Sequence, residues 1–177
     1  EIPKRDWSSD VCSSDLLNNR VTRQLHDEHV AVIALMDKLQ SFSSSNQPDL
    51  SNSQVSNFLS DVKISIEGEV TNHFNFEEED LFPILNNEGE TDMSDLLHED
   101  HEVILPLGME LVGLITEAQA NGFTAESWQK FKPMGTEFAE RLRDHASKEE
   151  IGLVPLIDDL LVAGVDADLA QKYIDNR

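Results

Sequence analysis

The chain has 177 residues, with 13 Lys and Arg against 35 Asp and Glu, and its formal net charge is −22. This length suits one domain, because single domains run to roughly 100–200 residues. So acidic a surface repels phosphate backbones and anionic lipids, which argues against nucleic-acid and membrane-surface roles. The single cysteine, Cys12, excludes an intrachain disulfide framework and a cysteine-based zinc or iron–sulfur site.

Residues 1–15 read EIPKRDWSSDVCSSD, a polar stretch without helical or strand periodicity. We interpret this stretch as a flexible leader outside the fold. It also resembles translated adapter sequence, which would make it, and Cys12 with it, non-native. The leader lacks the apolar core of a secretory signal, and no run of about 18 apolar residues predicts a membrane span. We therefore expect a cytoplasmic protein.

After this leader, apolar residues recur at steps of three and four, which predicts helices throughout. Four amphipathic segments are predicted, at about residues 16–43, 52–85, 93–120 and 124–161. Pro106 and Pro133 lie inside the last two, where proline should kink or split a helix. Residues 163–177 are predicted to form a tail or a short helix capped by Asp166. Residues 16–162 are expected to form an all-α, antiparallel up-down four-helix bundle.

The two halves of this bundle are related by an internal repeat. LHDEHVAVIALMDKL aligns with LHEDHEVILPLGMEL, and HFNFEEEDLFPIL aligns with HASKEEIGLVPLI. One offset of 72 residues, without a gap, relates the members of five pairs: His26 and His98, His29 and His101, His73 and His145, Glu77 and Glu149, Pro83 and Pro155. The bundle is therefore predicted to consist of two related helix hairpins whose equivalent residues converge on one central point.

All six histidines of the chain lie in these repeated motifs. Each first helix carries His-x-x-His and each second helix carries His-x-x-x-Glu, and residues three or four apart share one face of a helix. Glu77 and Glu149 fall within apolar stripes, where an isolated ionised carboxylate costs on the order of several kcal/mol. A pair of divalent metal ions would neutralise both carboxylates. Imidazole and carboxylate ligands without thiolate suit iron, manganese or zinc, and a dry core with open positions favours iron.

Other chemistries fit the spacing less well. In HEDH, residues 98–101, the histidines are three apart, so this motif is not the HExxH of zinc proteases. Ferritin-like di-iron bundles use Glu-x-x-His, whereas here the carboxylate follows the histidine. A Ser/His/Asp hydrolase would need a nucleophile elbow, which the sequence lacks. A purely structural role would require four polar motifs to stand in register by coincidence, so metal binding is the favoured interpretation.

At these residues the sequence resembles the hemerythrin-like (HHE, cation-binding) family, through LHDEH, HFNFEEEDLFP, LLHEDHEV and HASKEEIGLVP. The resemblance implies a hemerythrin-like bundle around a non-haem di-iron centre, with two iron ions joined by an oxo or hydroxo bridge. It also implies Glu77 and Glu149 as bridging carboxylates and His73 and His145 as terminal ligands.

The remaining ligands would come from the two His-x-x-His pairs. The apolar stripes favour His29 and His101, whereas relatives with the same motif use the first histidine, so both members of each pair stay candidates. The candidate metal ligands are therefore His26, His29, His73, Glu77, His98, His101, His145 and Glu149. Glu78 and Glu150 are expected to orient ligands. A dry pocket around the site is expected to be walled by Phe74, Ile66, Leu105 and Phe138.

The resemblance departs from the oxygen-carrying hemerythrins at one position. Those proteins place an aspartate five residues after the last-helix histidine, where this chain has Glu150, and this difference argues against reversible oxygen carriage. We expect a di-iron protein that binds or reacts with O₂ or a related small oxidant, peroxide or nitric oxide, rather than a dedicated enzyme. Two alternatives stay open: detoxification of peroxide or nitric oxide with repair of iron centres, and an iron- or oxygen-responsive interaction module. The oligomeric state is not indicated.

Overall fold

The computed structural model describes residues 17–176, and in this range the chain is helical and has no strand. Helices α2 (residues 53–88) and α4 (residues 125–160) are each continuous but contain π-helical segments. The other helices are α1 (Arg20–Ser43), α3 (Thr91–Asn121) and α5 (Ala163–Asp175). The all-α fold predicted from the sequence is confirmed. The interpretation of residues 1–15, Cys12 included, lies outside the described residues.

Helices α1 to α4 form the bundle, and α4 packs against both α1 and α3. Their buried apolar side chains make two clusters, one that includes Leu111 and Phe138 and another that includes Leu85 and Leu153. On every one of these four helices the buried histidine or glutamate lies in sequence between members of the two clusters. A polar layer is therefore enclosed by apolar layers on both sides, and this layer holds the site.

The helix ends agree with the sequence in one case and correct it in another. Asn52 caps α2, and its side chain accepts a hydrogen bond from the Gln54 amide at 2.9 Å. The prediction that Asp166 caps α5 is wrong, because the N-cap is Val162. The Asp166 carboxylate instead accepts a hydrogen bond from the amide of Val21 at 3.0 Å. That amide belongs to the first turn of α1, where backbone donors lack a partner within the helix.

Prolines inside the helices do not split them. Pro106 lies within α3 and Pro133 within α4, and neither ends its helix. Pro83 and Pro155 each lie two residues after a π-helical turn, Glu77–Leu81 or Glu149–Leu153, whereas a third π-helical turn, Ser65–Val70, has no proline directly after it. Proline donates no backbone hydrogen bond and crowds the carbonyl four residues earlier, which favours a wider turn before it. Such π turns are frequent at functional sites.

Helix α3 is the one helix in residues 17–176 that is long and apolar enough to cross a membrane by length and composition. The core helix of a water-soluble protein meets the same criteria, so this property is weak evidence. Here α3 packs against α4 in the bundle and contributes His101 to the buried polar layer.

Candidate metal centre

Two overlapping groups of buried side chains lie in the polar layer of the bundle. One group is His29, His73, Glu77 and Glu149, and the other is Glu77, His101, His145 and Glu149. Within each group, one possible ligand atom per residue lies within 4.8 Å of all the others. We call His29 and His73 the first half-site, and His101 and His145 the second half-site. Glu77 and Glu149 belong to both groups, as bridging carboxylates would.

The imidazoles of each half-site face one another through Nε2. The Nε2 atoms of His29 and His73 are 3.3 Å apart, and those of His101 and His145 are 3.1 Å apart. Each Nδ1 faces a carboxylate, which in a neutral imidazole assigns the proton to Nδ1 and leaves a lone pair on Nε2. Two such lone pairs at these distances repel each other unless a proton or a metal ion lies between them. The orientation therefore fits a metal ion in each half-site.

Four carboxylates outside the two groups hold these imidazoles by Nδ1. The pairs are His29 with Glu150, His101 with Glu78, His73 with Glu28, and His145 with Asp100, at 2.6, 2.8, 2.9 and 3.2 Å respectively. Glu78 and Glu150 thus occupy the orienting positions expected of them. Glu28 and Asp100 were not anticipated, although a signal existed. Both precede the second histidine of His-x-x-His, and they are 72 residues apart.

The two carboxylates common to both groups, Glu77 and Glu149, have buried oxygens without a hydrogen-bond partner in the part of the chain that the structure describes. Both carboxylate oxygens of Glu77 and one oxygen of Glu149 are buried without a hydrogen-bond partner among the described residues. Imidazole nitrogens are close, the nearest being Nε2 of His145 at 2.7 Å from Glu149, but the angles are not those of hydrogen bonds. Buried anionic oxygens that converge with imidazole lone pairs are the donor set of a metal centre.

Proton affinities in this layer reflect the competition between burial and charge. Burial alone would raise the pKa of Glu149, but the neighbouring His145, His29 and His73 hold it well below its ordinary value. Burial would lower the pKa of His29, yet hydrogen bonds to Glu149 and Glu150 raise this pKa to about 9. Without metal, protons on the imidazoles therefore balance the buried carboxylates. A metal ion would take over this role and release the protons.

Two of the eight candidate ligands lie outside both groups. The Nδ1 atom of His26 is 2.8 Å from Glu150, and its side chain is 12% exposed. The His98 side chain is 50% exposed, and its Nδ1 is 3.2 Å from Glu78. Both histidines directly follow a buried leucine, Leu25 or Leu97, so they lie at the edge of the buried stripe. The structure thus brings together the second histidine of each pair.

Aromatic rings cover the second half-site. The ring of Phe74 stacks on His101 with a centroid distance of 3.7 Å and an interplanar angle of 7°. Phe82 lies on the same imidazole at 5.7 Å. In the 72-residue repeat, the positions of Phe74 and Phe82 correspond to Ala146 and Val154, which have much smaller side chains. The first half-site therefore lacks the equivalent cover.

A cavity of about 440 Å³ is lined by both histidines of the first half-site and also by His145 of the second. Its lining includes the buried His29, His73 and Glu149 as well as Ile174 of α5, which is 54% exposed. This combination connects the buried site with the surface. Of the residues expected to wall a pocket, Phe74 lines the cavity, whereas Ile66, Leu105 and Phe138 pack in the core beside it.

Comparison with known families matches residues 20–157 to the hemerythrin HHE cation-binding domain. The chain belongs to this family. The match covers α1 to α4 with all eight candidate ligands, and α5 lies beyond it. No curated protein matches the chain. An HHE domain with this buried His/Glu cluster is a metal-binding domain.

Proposed function

We propose that this HHE protein holds two iron ions, one in each half-site, and that O₂ or a related small oxidant, peroxide or nitric oxide, binds or reacts at the first half-site. The observation that carries the proposal is the cavity, which is lined by both histidines of the first half-site, whereas of the second half-site only His145 lines it and His101 lies beneath Phe74 and Phe82. A donor set of imidazole and carboxylate without thiolate suits iron. A cytoplasmic location is part of the same proposal.

Each part of the chain has a distinct role in this proposal. The histidines of the two half-sites hold one ion each, and Glu77 and Glu149 bridge the pair. Reduced iron, when bound, supplies the electrons that an oxidant accepts. The four outer carboxylates, which are the Nδ1 partners Glu28, Glu78, Asp100 and Glu150, keep the imidazoles in their ligating orientation. Phe74 and Phe82 cover His101 of the second half-site, so that the first half-site is the more accessible to a ligand.

The charge of the cavity favours uncharged molecules. Among the described residues that line it, Asp27, Glu28 and Glu69 are acidic and none is Lys or Arg. The potential of such a lining, added to a net charge of −22, repels anions. Molecular oxygen, hydrogen peroxide and nitric oxide are uncharged and would pass, whereas superoxide and nitrite would be disfavoured.

The test is metal analysis combined with optical spectra. The protein is loaded with Fe²⁺ without oxygen, its iron content is measured, and O₂, hydrogen peroxide or nitric oxide is then added. We expect about two irons per chain and a new ligand-to-metal absorption band with at least one of these molecules. Failure to retain metal, or an unchanged spectrum with all three, would contradict the proposal.

Four single variants locate the ions. His29→Ala and His101→Ala each remove a ligand of one half-site, so each should retain about one ion per chain, and only His29→Ala should also remove the site of oxidant access. His26→Ala and His98→Ala serve as controls outside both groups; because these histidines contact Glu150 and Glu78, each variant should retain both ions with at most a modest fall in affinity. Loss of metal in the controls would return the first histidines to the ligand set.

A further inference from the structure

Helix α5, which lies beyond the region matched to the family, contacts the first half-site. The Tyr173 ring stacks on Phe76 of α2 with a centroid distance of 4.3 Å. Its hydroxyl donates a hydrogen bond of 2.6 Å to Oε2 of Glu28 on α1. The same oxygen accepts a hydrogen bond of 2.9 Å from Nδ1 of His73. One carboxylate oxygen thus joins α5 to a candidate ligand.

Two further contacts fix α5 in this position. The Asp166 carboxylate accepts a hydrogen bond from the Val21 amide of α1, as described above, and the Lys172 ammonium lies 2.6 Å from Asp80 of α2. Tyr173 itself is buried, with 3% of its surface exposed. The helix therefore spans α1 and α2, the two helices that carry the first half-site, and its buried hydroxyl is aimed at the carboxylate that holds His73.

The second half-site obtains the equivalent donor from within the bundle. Asp100, which corresponds to Glu28 in the repeat, faces Nδ1 of His145 and receives a 2.6 Å hydrogen bond from the ammonium of Lys148. Lys148 lies on α4, three residues after His145. The repeat places Phe76 at the position of Lys148, so α2 offers no ammonium there. The carboxylate beside the first half-site is thus held by the Tyr173 hydroxyl of α5, and the carboxylate beside the second by the Lys148 ammonium.

We propose that Tyr173 is a positioning residue of the metal centre, which holds Glu28 against His73 and so makes metal affinity at the first half-site depend on α5. This inference rests on the proposed metal centre. Loss of a carboxylate that orients a ligating histidine typically costs about 10–100-fold in metal affinity. Tyr173 acts through that carboxylate, so removal of its hydroxyl should cause only part of this loss, a fall of about 3–10-fold in metal affinity.

Tyr173→Phe tests the proposal, since it removes the hydroxyl and keeps the ring on Phe76. Competition of the protein with a chelator for Co²⁺ gives the two stepwise affinities without any dependence on reactivity. We expect one affinity to fall about 3–10-fold and the other to stay the same. Gln171→Ala is the matched control, because this side chain is exposed on the same helix and hydrogen-bonds within it, to Asp175; both affinities should be unchanged.

A double variant separates positioning from general loosening of the helix. If Tyr173 acts through Glu28, then Glu28→Gln combined with Tyr173→Phe should weaken the same ion no further than Glu28→Gln alone. Additive losses, an equal fall of both affinities, or unchanged affinities in Tyr173→Phe would each overturn the role of Tyr173. These outcomes presuppose that the unaltered protein binds two ions. Absence of binding in the unaltered protein would instead contradict the metal centre itself.

Discussion

The two half-sites have the same ligands but different surroundings. Each has two histidines, shares the two bridging glutamates and has an outer carboxylate on every Nδ1. The ring of Phe74 covers His101 in the second half-site, whereas Ala146 occupies the corresponding position at the first, and a cavity opens beside it. The donor to the carboxylate also differs: Glu28 at the first half-site accepts a hydrogen bond from the Tyr173 hydroxyl, and Asp100 at the second accepts one from the Lys148 ammonium.

This comparison separates what the repeat determines from what it leaves free. The candidate ligands and their orientation follow the 72-residue repeat, so they are the same in both half-sites. Access of small molecules depends on residues that ligate nothing, and there the two hairpins differ. A symmetrical set of candidate ligands can therefore have unequal access, because the cavity is lined by both histidines of the first half-site and by only one, His145, of the second.

The largest loss of metal affinity is expected for Glu77 and Glu149, which belong to both groups. Glu77→Gln and Glu149→Gln each remove a carboxylate charge common to both groups, so each should lower the affinity for both ions by about 100-fold or more, beyond the 10–100-fold typical of an orienting residue. Metal content after dialysis against a chelator measures the loss. Glu79→Gln, an exposed neighbour on the same helix, is the control. Retention of one ion in either variant would show that the half-sites bind independently.

Exchange of one side chain between the half-sites should exchange their accessibility. Ala146→Phe places a ring beside the first half-site, in space that belongs to the cavity, and should slow reaction with O₂ at unchanged metal content. Phe74→Ala uncovers His101 and should admit a ligand there, at a cost of about 3–5 kcal/mol in the free energy of unfolding. Stopped-flow absorbance and urea unfolding measure the two effects. An unchanged rate in Ala146→Phe would break the comparison, because access would then not pass through the cavity.

The all-α fold, the family and the convergence of the His/Glu motifs could be predicted from the sequence, since helical periodicity and a gapless repeat both leave direct marks on it. The sequence left open which histidine of each His-x-x-His pair lies in the buried groups, and the structure places the second one there. The repeat also contained Glu28 and Asp100, whose acidic side chains precede the second histidines. We searched the sequence for polar residues within the apolar stripes, and these two residues lie at the edge of a stripe. Their contacts are made across helices, to His73 and His145.

Other features could not be predicted from the sequence. Ala146 is one of the residues that line the cavity, and the effect of a small side chain at this position becomes visible only when the facing helices are placed. The contact of Tyr173 with Glu28 joins residues 145 positions apart, so no local period reveals it. Two of the three π turns in residues 17–176, those that begin at Glu77 and Glu149, precede prolines, but proline inside a helix is compatible with kinks and breaks as well, and the π turn Ser65–Val70 has no proline directly after it.

Proton binding should distinguish metal-free from metal-loaded protein at the first half-site. Hydrogen bonds to Glu149 and Glu150 outweigh burial and raise the pKa of His29 from 6.5 to about 9. Since the folded-state pKa is the higher one, this contribution to stability is fully present below pH 6.5 and is lost as the pH rises to about 9. We expect the free energy of unfolding of metal-free protein to fall by about 3 kcal/mol over this window.

Urea unfolding at pH 6 and pH 9, with and without metal, measures this change. In metal-loaded protein the fall should be much smaller, because a ligating histidine is already deprotonated at the nitrogen that binds the metal. His29→Gln should reduce the fall in metal-free protein, and His98→Gln, at an exposed position, should leave it unchanged. Equal pH dependence in all these proteins would place the proton balance outside the first half-site.

The smallest effect concerns the ammonium that holds Asp100 at the second half-site. Lys148 and Asp100 are 42% and 24% exposed, and pairs so open to water contribute only about 0–1 kcal/mol. Lys148→Met should therefore lower the free energy of unfolding by less than about 1 kcal/mol, and the loss should shrink in high salt because screening already weakens the pair. The buried hydroxyl of Tyr173 is not screened, so the effect of Tyr173→Phe on metal affinity should persist in high salt. If instead salt abolished the Tyr173 effect and left that of Lys148, the two donors would not differ in the way their burial indicates.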